Sequence, residues 1–130
     1  MSKGINPTLH TAALAALETG VNRALQLAPA TARELEQLQD CIFALHCTAP
    51  EVDIYLQPAA GGIRIMGIHE GAVTTSVRGE ASDFAELATA KDPAATLING
   101  ALELQGDSAP LIELQKTLAA LDMDWEAPLV

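Results

Sequence analysis

The sequence predicts an α+β domain in which a five-stranded, mainly antiparallel sheet is covered by helices. Three observations carry this: helical periodicity over residues 6–27, four short β-branched or apolar runs between residues 41 and 79, and a return of helical spacing after residue 80 interrupted by one alternating stretch. With 130 residues, one domain around one core is the expected organisation. Apolar residues make up 49% of the chain and charged ones 18%, which excludes disorder as the whole answer.

The first helix is read over Asn6–Leu27, with Asn6 as its N-cap and Pro7 in the first turn. Its expected inner stripe is Leu9, Ala13, Ala16, Leu17, Val21, Ala24 and Leu25. Thr31–Leu38 follows as a short helix, because Thr31 and Glu34 have the capping-box spacing, and Asp40 ends it. Four strands come next, over Cys41–Thr48, Val52–Pro58, Ile63–His69 and Ala72–Gly79. The turn residues Ala49-Pro50-Glu51, Gly61-Gly62 and Glu70-Gly71 separate them, so an antiparallel meander is expected. In the second strand Val52, Ile54 and Leu56 alternate with Asp53, Tyr55 and Gln57, which puts one face in water and the other under helices.

Ser82 is the expected N-cap of a helix over Ala81–Ala90 whose inner face is Phe84, Leu87 and Ala88. After Asp92-Pro93, helical signals continue to the glycine stop at Gly100. Ala101–Gly106 reads as the fifth strand, with Leu102 and Leu104 inward. Asp107 and Ser108 then cap a last helix, where Leu111, Leu114, Leu118 and Leu121 recur at spacings of three and four.

Charge narrows the partners. The net charge is −10, and the part from Glu80 onward holds ten acids against Lys91 and Lys116. Such a field repels a phosphate backbone, so no nucleic-acid partner is expected, nor direct binding to an anionic membrane. No apolar run reaches the ~18 residues of a membrane span, and MSKGINPTLH lacks a basic stretch feeding a hydrophobic signal core. The expected location is therefore cytoplasmic. Two cysteines, Cys41 and Cys47, make no disulfide framework and fit a reducing compartment.

The residues that bear chemistry form no recognised frame. His10, His46 and His69 are far apart, and His69-Glu70 lacks a second histidine because position 73 is Val. Cys41 and Cys47 point to one side of a strand but ~20 Å apart, beyond disulfide or shared-metal reach. No nucleophile elbow, dinucleotide fingerprint or phosphate loop occurs, and Gly61-Gly62 leads into a strand rather than a helix N-terminus. The expectation is therefore no enzyme, no metal and no cofactor. What remains is the aliphatic layer between sheet and helices. Ile63 and Ile65 alternate with Met66 and Ile68, so the third strand is apolar on both faces, and one of them is free to meet a ligand, a helix or another subunit.

Val77-Arg78-Gly79 before SDFAEL, and Asn99-Gly100-Ala101-Leu102-Glu103-Leu104-Gln105-Gly106-Asp107 before a leucine helix, resemble the sterol carrier protein type 2 domain. With NRALQLAPAT and the closing Leu121-Asp122-Met123-Asp124-Trp125-Glu126, the chain also resembles the UbiJ family of ubiquinone biosynthesis accessory factors.

The broader resemblance implies a sheet and helices around an apolar tunnel that holds a lipid and catalyses nothing. The narrower one implies polyprenylated ubiquinone precursors as cargo and the ubiquinone biosynthesis enzymes as partners. It also implies a helical extension after the Trp-Glu phrase that binds a UbiK-like accessory protein. On that basis residues 1–126 are the lipid-binding domain and residues 127–130 begin an extension that is missing, with Asp124 as a candidate N-cap for its helix.

The resemblance supplies no lining motif, so the candidate lining comes from face assignment. From the strands it takes Leu45, Ile54, Leu56, Ile65, Met66, Leu102 and Leu104. From the helices it takes Phe84, Leu87, Leu97, Leu111, Leu114 and Leu118. The rival expectations are a scaffold whose apolar groove binds a partner helix, and a general fatty-acid or sterol carrier.

Overall fold

The computed structural model describes residues 7–49 and 51–121, and side chains from Ala12 onward. The expected Asn6 cap, the Leu9 and His10 side chains, and the Asp124 cap with its Trp125-Glu126 phrase lie outside the described residues.

Ten elements follow in order: α1 (Pro7–Gln26), α2 (Pro29–Glu36), β1 (Phe43–Thr48), β2 (Glu51–Ala59), β3 (Gly62–Met66), β4 (Thr75–Gly79), α3 (Ala81–Ala88), α4 (Pro93–Asn99), β5 (Glu103–Gly106) and α5 (Ser108–Ala119). The strands form one sheet in the order β3-β2-β1-β4-β5. Its β1–β2, β2–β3 and β4–β5 pairings are antiparallel, whereas β1–β4 is parallel with Phe43 opposite Thr75. The sheet is therefore mixed, and the four-strand meander is corrected.

The reason lies in the chain between β3 and β4. Residues 67–74 are not a two-residue turn flanked by strands; they form a link long enough to pass two strands and deliver β4 to the far side of β1. Along this path His69 meets the Tyr55 ring at 5.8 Å on the face bearing Tyr55, and the Thr74 N–H donates to the Ile42 carbonyl (2.8 Å). Ile68 and Val73, which extended the strand readings, belong to this link and are exposed.

Alternation sorts the sheet into two faces. By register, Phe43, Leu45 and Cys47 share a face with Ile54, Leu56, Ile63, Ile65, Val77 and Leu104. The other face carries His46, Asp53, Tyr55, Arg64, Met66, Arg78 and Glu103. His46 Nδ1 lies 2.9 Å from Asp53 Oδ1 there, across the β1–β2 pair. The deepest residues, Phe43, Leu25, Leu35 and Val77, place the core between the first face and the helices.

Of the expected inner stripe of α1, Val21 and Leu25 are buried and Ala24 packs against the core, but Leu14 completes the stripe in place of Ala13, Ala16 and Leu17; Leu17 is 41% exposed. Two polar side chains set the rotation. The Asn22 amide donates to the Ile63 carbonyl (3.0 Å) and accepts the Ile63 N–H (2.7 Å), and Glu18 Oε1 accepts the Ile65 N–H (2.7 Å). Helix α1 thus completes the open edge of β3 in place of a sixth strand, which removes a ready site for edge-to-edge pairing. Gly62 is what allows the approach, since a Cβ there would lie 2.5 Å from Asn22 Oδ1.

Helix ends also shift from expectation. Helix α2 begins at Pro29, whose fixed φ suits the first turn, and Thr31 lies inside it. The N-cap of α3 is Glu80 rather than Ser82, its N–H donating to Asp83 Oδ2 (3.0 Å). Asp92 caps α4 by accepting the Ala95 N–H (3.2 Å), and Asp107 caps α5 by accepting the Ala109 N–H (3.3 Å).

Candidate functional site

The inner face of the sheet is covered unevenly. Helices α1 and α2 pack over β3 and β2, and α5 packs on β4, but α3 and α4 rest chiefly on α5 and on each other. Apolar side chains packed against the core remain half-buried: Leu45 and Ile54 on the inner face of the sheet, Leu104 on β5, Phe84 on α3 and Leu97 on α4. Leu56 and Leu118 are half-buried beside the same core. Ile65, Leu87, Leu102, Leu111 and Leu114 are buried members of that core.

Of the thirteen residues expected to line the layer, these twelve therefore belong to one cluster or pack against it. Met66 does not. It pairs with Tyr55 in the β2–β3 register, one position past Ile65, and so occupies the opposite face. Adjacent strand residues cannot both face inward, and Met66 shares the outer face of β3 with Arg64.

Sequence reasoning missed the polar groups that fix the walls. Gln115, 8% exposed, donates from Nε2 to the carbonyls of Leu87 (2.9 Å), Ala88 (3.2 Å) and Ala90 (3.2 Å), and so ties the C-terminal end of α3 to α5. Helix C-termini leave carbonyls without internal partners, and a buried end needs an outside donor. The available signal was a glutamine at an inward position of α5, next to Leu114. Replacing Gln115 by Leu is expected to cost about 1–3 kcal/mol, the penalty of leaving buried carbonyls unpaired. Urea unfolding reads that loss, and faster amide exchange at residues 87–90 locates it.

At the far end of the layer, Thr75 is fully buried and its hydroxyl donates to the Asp107 carbonyl (2.5 Å). The Thr74 hydroxyl accepts the Ile42 N–H (3.0 Å). These bonds join the starts of β1, β4 and α5.

The half-buried region contains no charged inner-face position on the sheet; Asp53, Arg64, Arg78 and Glu103 all lie on the outer face. Both cysteines are free and half-buried. Among the described residues no group of three or more His, Cys, Asp or Glu is placed to hold a metal ion, and no helix is long and apolar enough to cross a membrane. The arrangement offers apolar surface.

Comparison with known proteins adds to this geometry. Residues 21–119 match the profile of the SCP-2 sterol transfer family. A search of curated proteins finds no match. Among solved structures, one titled a UbiJ-SCP2 ubiquinone synthesis protein superposes with a TM-score of 0.74 at 19% identity, covering 85% of this chain and 96% of that one. A sterol carrier protein 2 superposes at 0.52 with 20% identity, covering 82% and 95%. The sec-alkylsulfatase Pisa1 from Pseudomonas sp. superposes at 0.57 with 17% identity over 71% of this chain, but over only 14% of the enzyme. At these identities the structural matches establish a shared fold.

Proposed function

The chain belongs to the SCP-2 sterol transfer family, and from that premise we propose that it is a non-catalytic lipid-binding protein whose ligand lies between the sheet and helices α3 and α4. The observation that carries this reading is the set of half-buried apolar side chains packed against the core, Leu45, Ile54, Phe84, Leu97 and Leu104, two of them on these helices. A well-packed core leaves few such side chains unfinished. Each CH₂ of a ligand buried against them contributes about 0.8 kcal/mol, so a prenyl chain of a few units is held without any polar contact.

In its fuller form the reading assigns a polyprenylated ubiquinone precursor as cargo, held for the enzymes of that pathway. It is supported by the similarity to the ubiquinone synthesis protein. A UbiK-like protein engaging a helix beyond Val130 belongs to the same proposal.

Native mass spectrometry and lipid extraction of the purified chain provide the test. A co-purifying polyprenyl phenol or quinone, or stoichiometric uptake of one on incubation, is the expected result. Absence of both would overturn the reading in favour of a scaffold that receives a partner helix.

A further inference from the structure

We propose that the free edge of β5 is a self-pairing surface, on which a second copy of the chain lays its own β5 antiparallel to join the two sheets in a two-fold dimer. The proposal stands apart from the lipid-binding reading, since it concerns backbone groups at the rim of the sheet and not the apolar layer.

The two edges of the sheet differ. At β3, the side chains of Asn22 and Glu18 occupy the backbone groups of Ile63 and Ile65. At the other end of the order, β5 has β4 as its one strand neighbour, and no described residue hydrogen-bonds to its outward backbone. The Asp107 N–H donates to the Thr74 carbonyl directly across the β4–β5 pair (3.2 Å), and antiparallel bonding alternates from that point. Glu103 and Gln105 therefore turn their N–H and carbonyl groups to β4, whereas Leu102 and Leu104 turn theirs outward. Such an edge is a template for a further strand.

Charge selects the occupant and its register. In a two-fold pair centred on Leu104, that residue exchanges both backbone bonds with its counterpart, and Glu103 lies opposite Gln105 on the outer face. A slip that keeps every side chain on its own face moves by two residues. In one direction it sets Glu103 against Glu103, and in the other it sets Glu103 against Asp107. Like charges directly opposite are destabilising, so the Leu104-centred register is the one that overlaps the strand without acid facing acid. It also brings the half-buried Leu104 side chains of the two copies together on the inner face. Assembly stops there, because both ends of the joined sheet are β3 edges closed by α1, and an isologous contact of this kind gives a closed dimer and not a fibre.

Sedimentation velocity of the 130-residue chain over a concentration series reads the association, at about 0.15 M salt so that repulsion between two chains of charge −10 is screened. The parent is expected to dimerise reversibly. The two-fold repeats every cross-strand pair, so Gln105→Lys, which places an opposite charge across from Glu103, is expected to tighten the dimer about tenfold, and Gln105→Glu to loosen it about tenfold. Gln105 is exposed, and the thermal midpoints of the dilute monomers are expected to stay close to the parent's. Amide exchange locates the contact: Leu104 is expected to slow as concentration rises, while Glu103 and Gln105, already bonded to β4, do not change. A parent and a Gln105→Lys chain that both remain monomeric at millimolar concentration overturn the proposal. So does a dimer indifferent to both substitutions, or one that leaves Leu104 exchange unaltered, and none of these results touches the lipid reading.

Discussion

Replacing Leu104 by Glu is expected to abolish uptake of a polyprenyl ligand while the domain stays folded. Leu104 is half-buried on the inner face, opposite Val77, where the ligand is proposed to lie. A carboxylate held in an apolar site without a partner costs several kcal/mol. Because each 1.4 kcal/mol is tenfold in affinity, binding falls by roughly 100-fold or more. The exposed rim of Leu104 gives the new charge a route to water in the empty protein, so circular dichroism and the unfolding midpoint are expected to change little. Leu87→Glu is the contrasting case. Leu87 is 6% exposed and its carbonyl accepts from Gln115, so a charge there is expected to unfold the domain. A folded Leu104→Glu variant that takes up ligand as the parent does would remove Leu104 from the binding layer.

The second large effect is expected at Gly106, at the junction of β5 with α5. Its φ of +95° is one that L side chains rarely adopt, and a Cβ there would collide with the Thr74 carbonyl oxygen and crowd Thr75 Cα at 3.2 Å. The collision partner is backbone, pinned by the Asp107 N–H to Thr74 carbonyl bond (3.2 Å), so it has little freedom to retreat. Gly106→Ala is expected to cost about 3 kcal/mol, the upper end of what a strained backbone residue carries, and to lower the thermal midpoint by roughly 10 °C. Gly71→Ala is the control. Its φ is +124°, but the nearest atom is the movable His69 Nε2 at 3.6 Å, so a loss of about 1 kcal/mol is expected. Equal losses at the two glycines would show that dihedral strain alone, and not the clash, sets the cost at Gly106.

Legibility in the sequence followed the range of the interaction. The cap at Asp107 was readable because a side-chain oxygen and the N–H group it serves lie within two residues. The cap of α3 was misplaced at Ser82 because Glu80 and Asp83 offer a competing local pattern, and backbone geometry chose between them. The rotation of α1 was legible in its second half, at Val21, Ala24 and Leu25, but not in its first, where Leu14 and not Ala13, Ala16 or Leu17 is buried. Its alanines and leucines leave more than one apolar stripe, and the choice fell to bonds from Glu18 and Asn22 to β3, more than forty residues away. Gln115 was hidden for the same reason, as its partners lie on another helix.

By itself the sequence determined the class of fold, the existence and order of the strands and main helices, and twelve of the thirteen inward positions that gather at the apolar core. All of these follow from periodicity and local capping, which act over a few residues. Tertiary structure alone decided that β4 runs parallel to β1, that the face of β3 bearing Ile65 and not Met66 meets the core, and that α3 and α4 rest on α5 and on each other. Those outcomes depend on which surfaces meet. The strand pattern of β4 is the same in either direction, and the seat of α3 depends on contacts with α5, among them the Gln115 amide on the carbonyls of Leu87, Ala88 and Ala90, which no local pattern encodes.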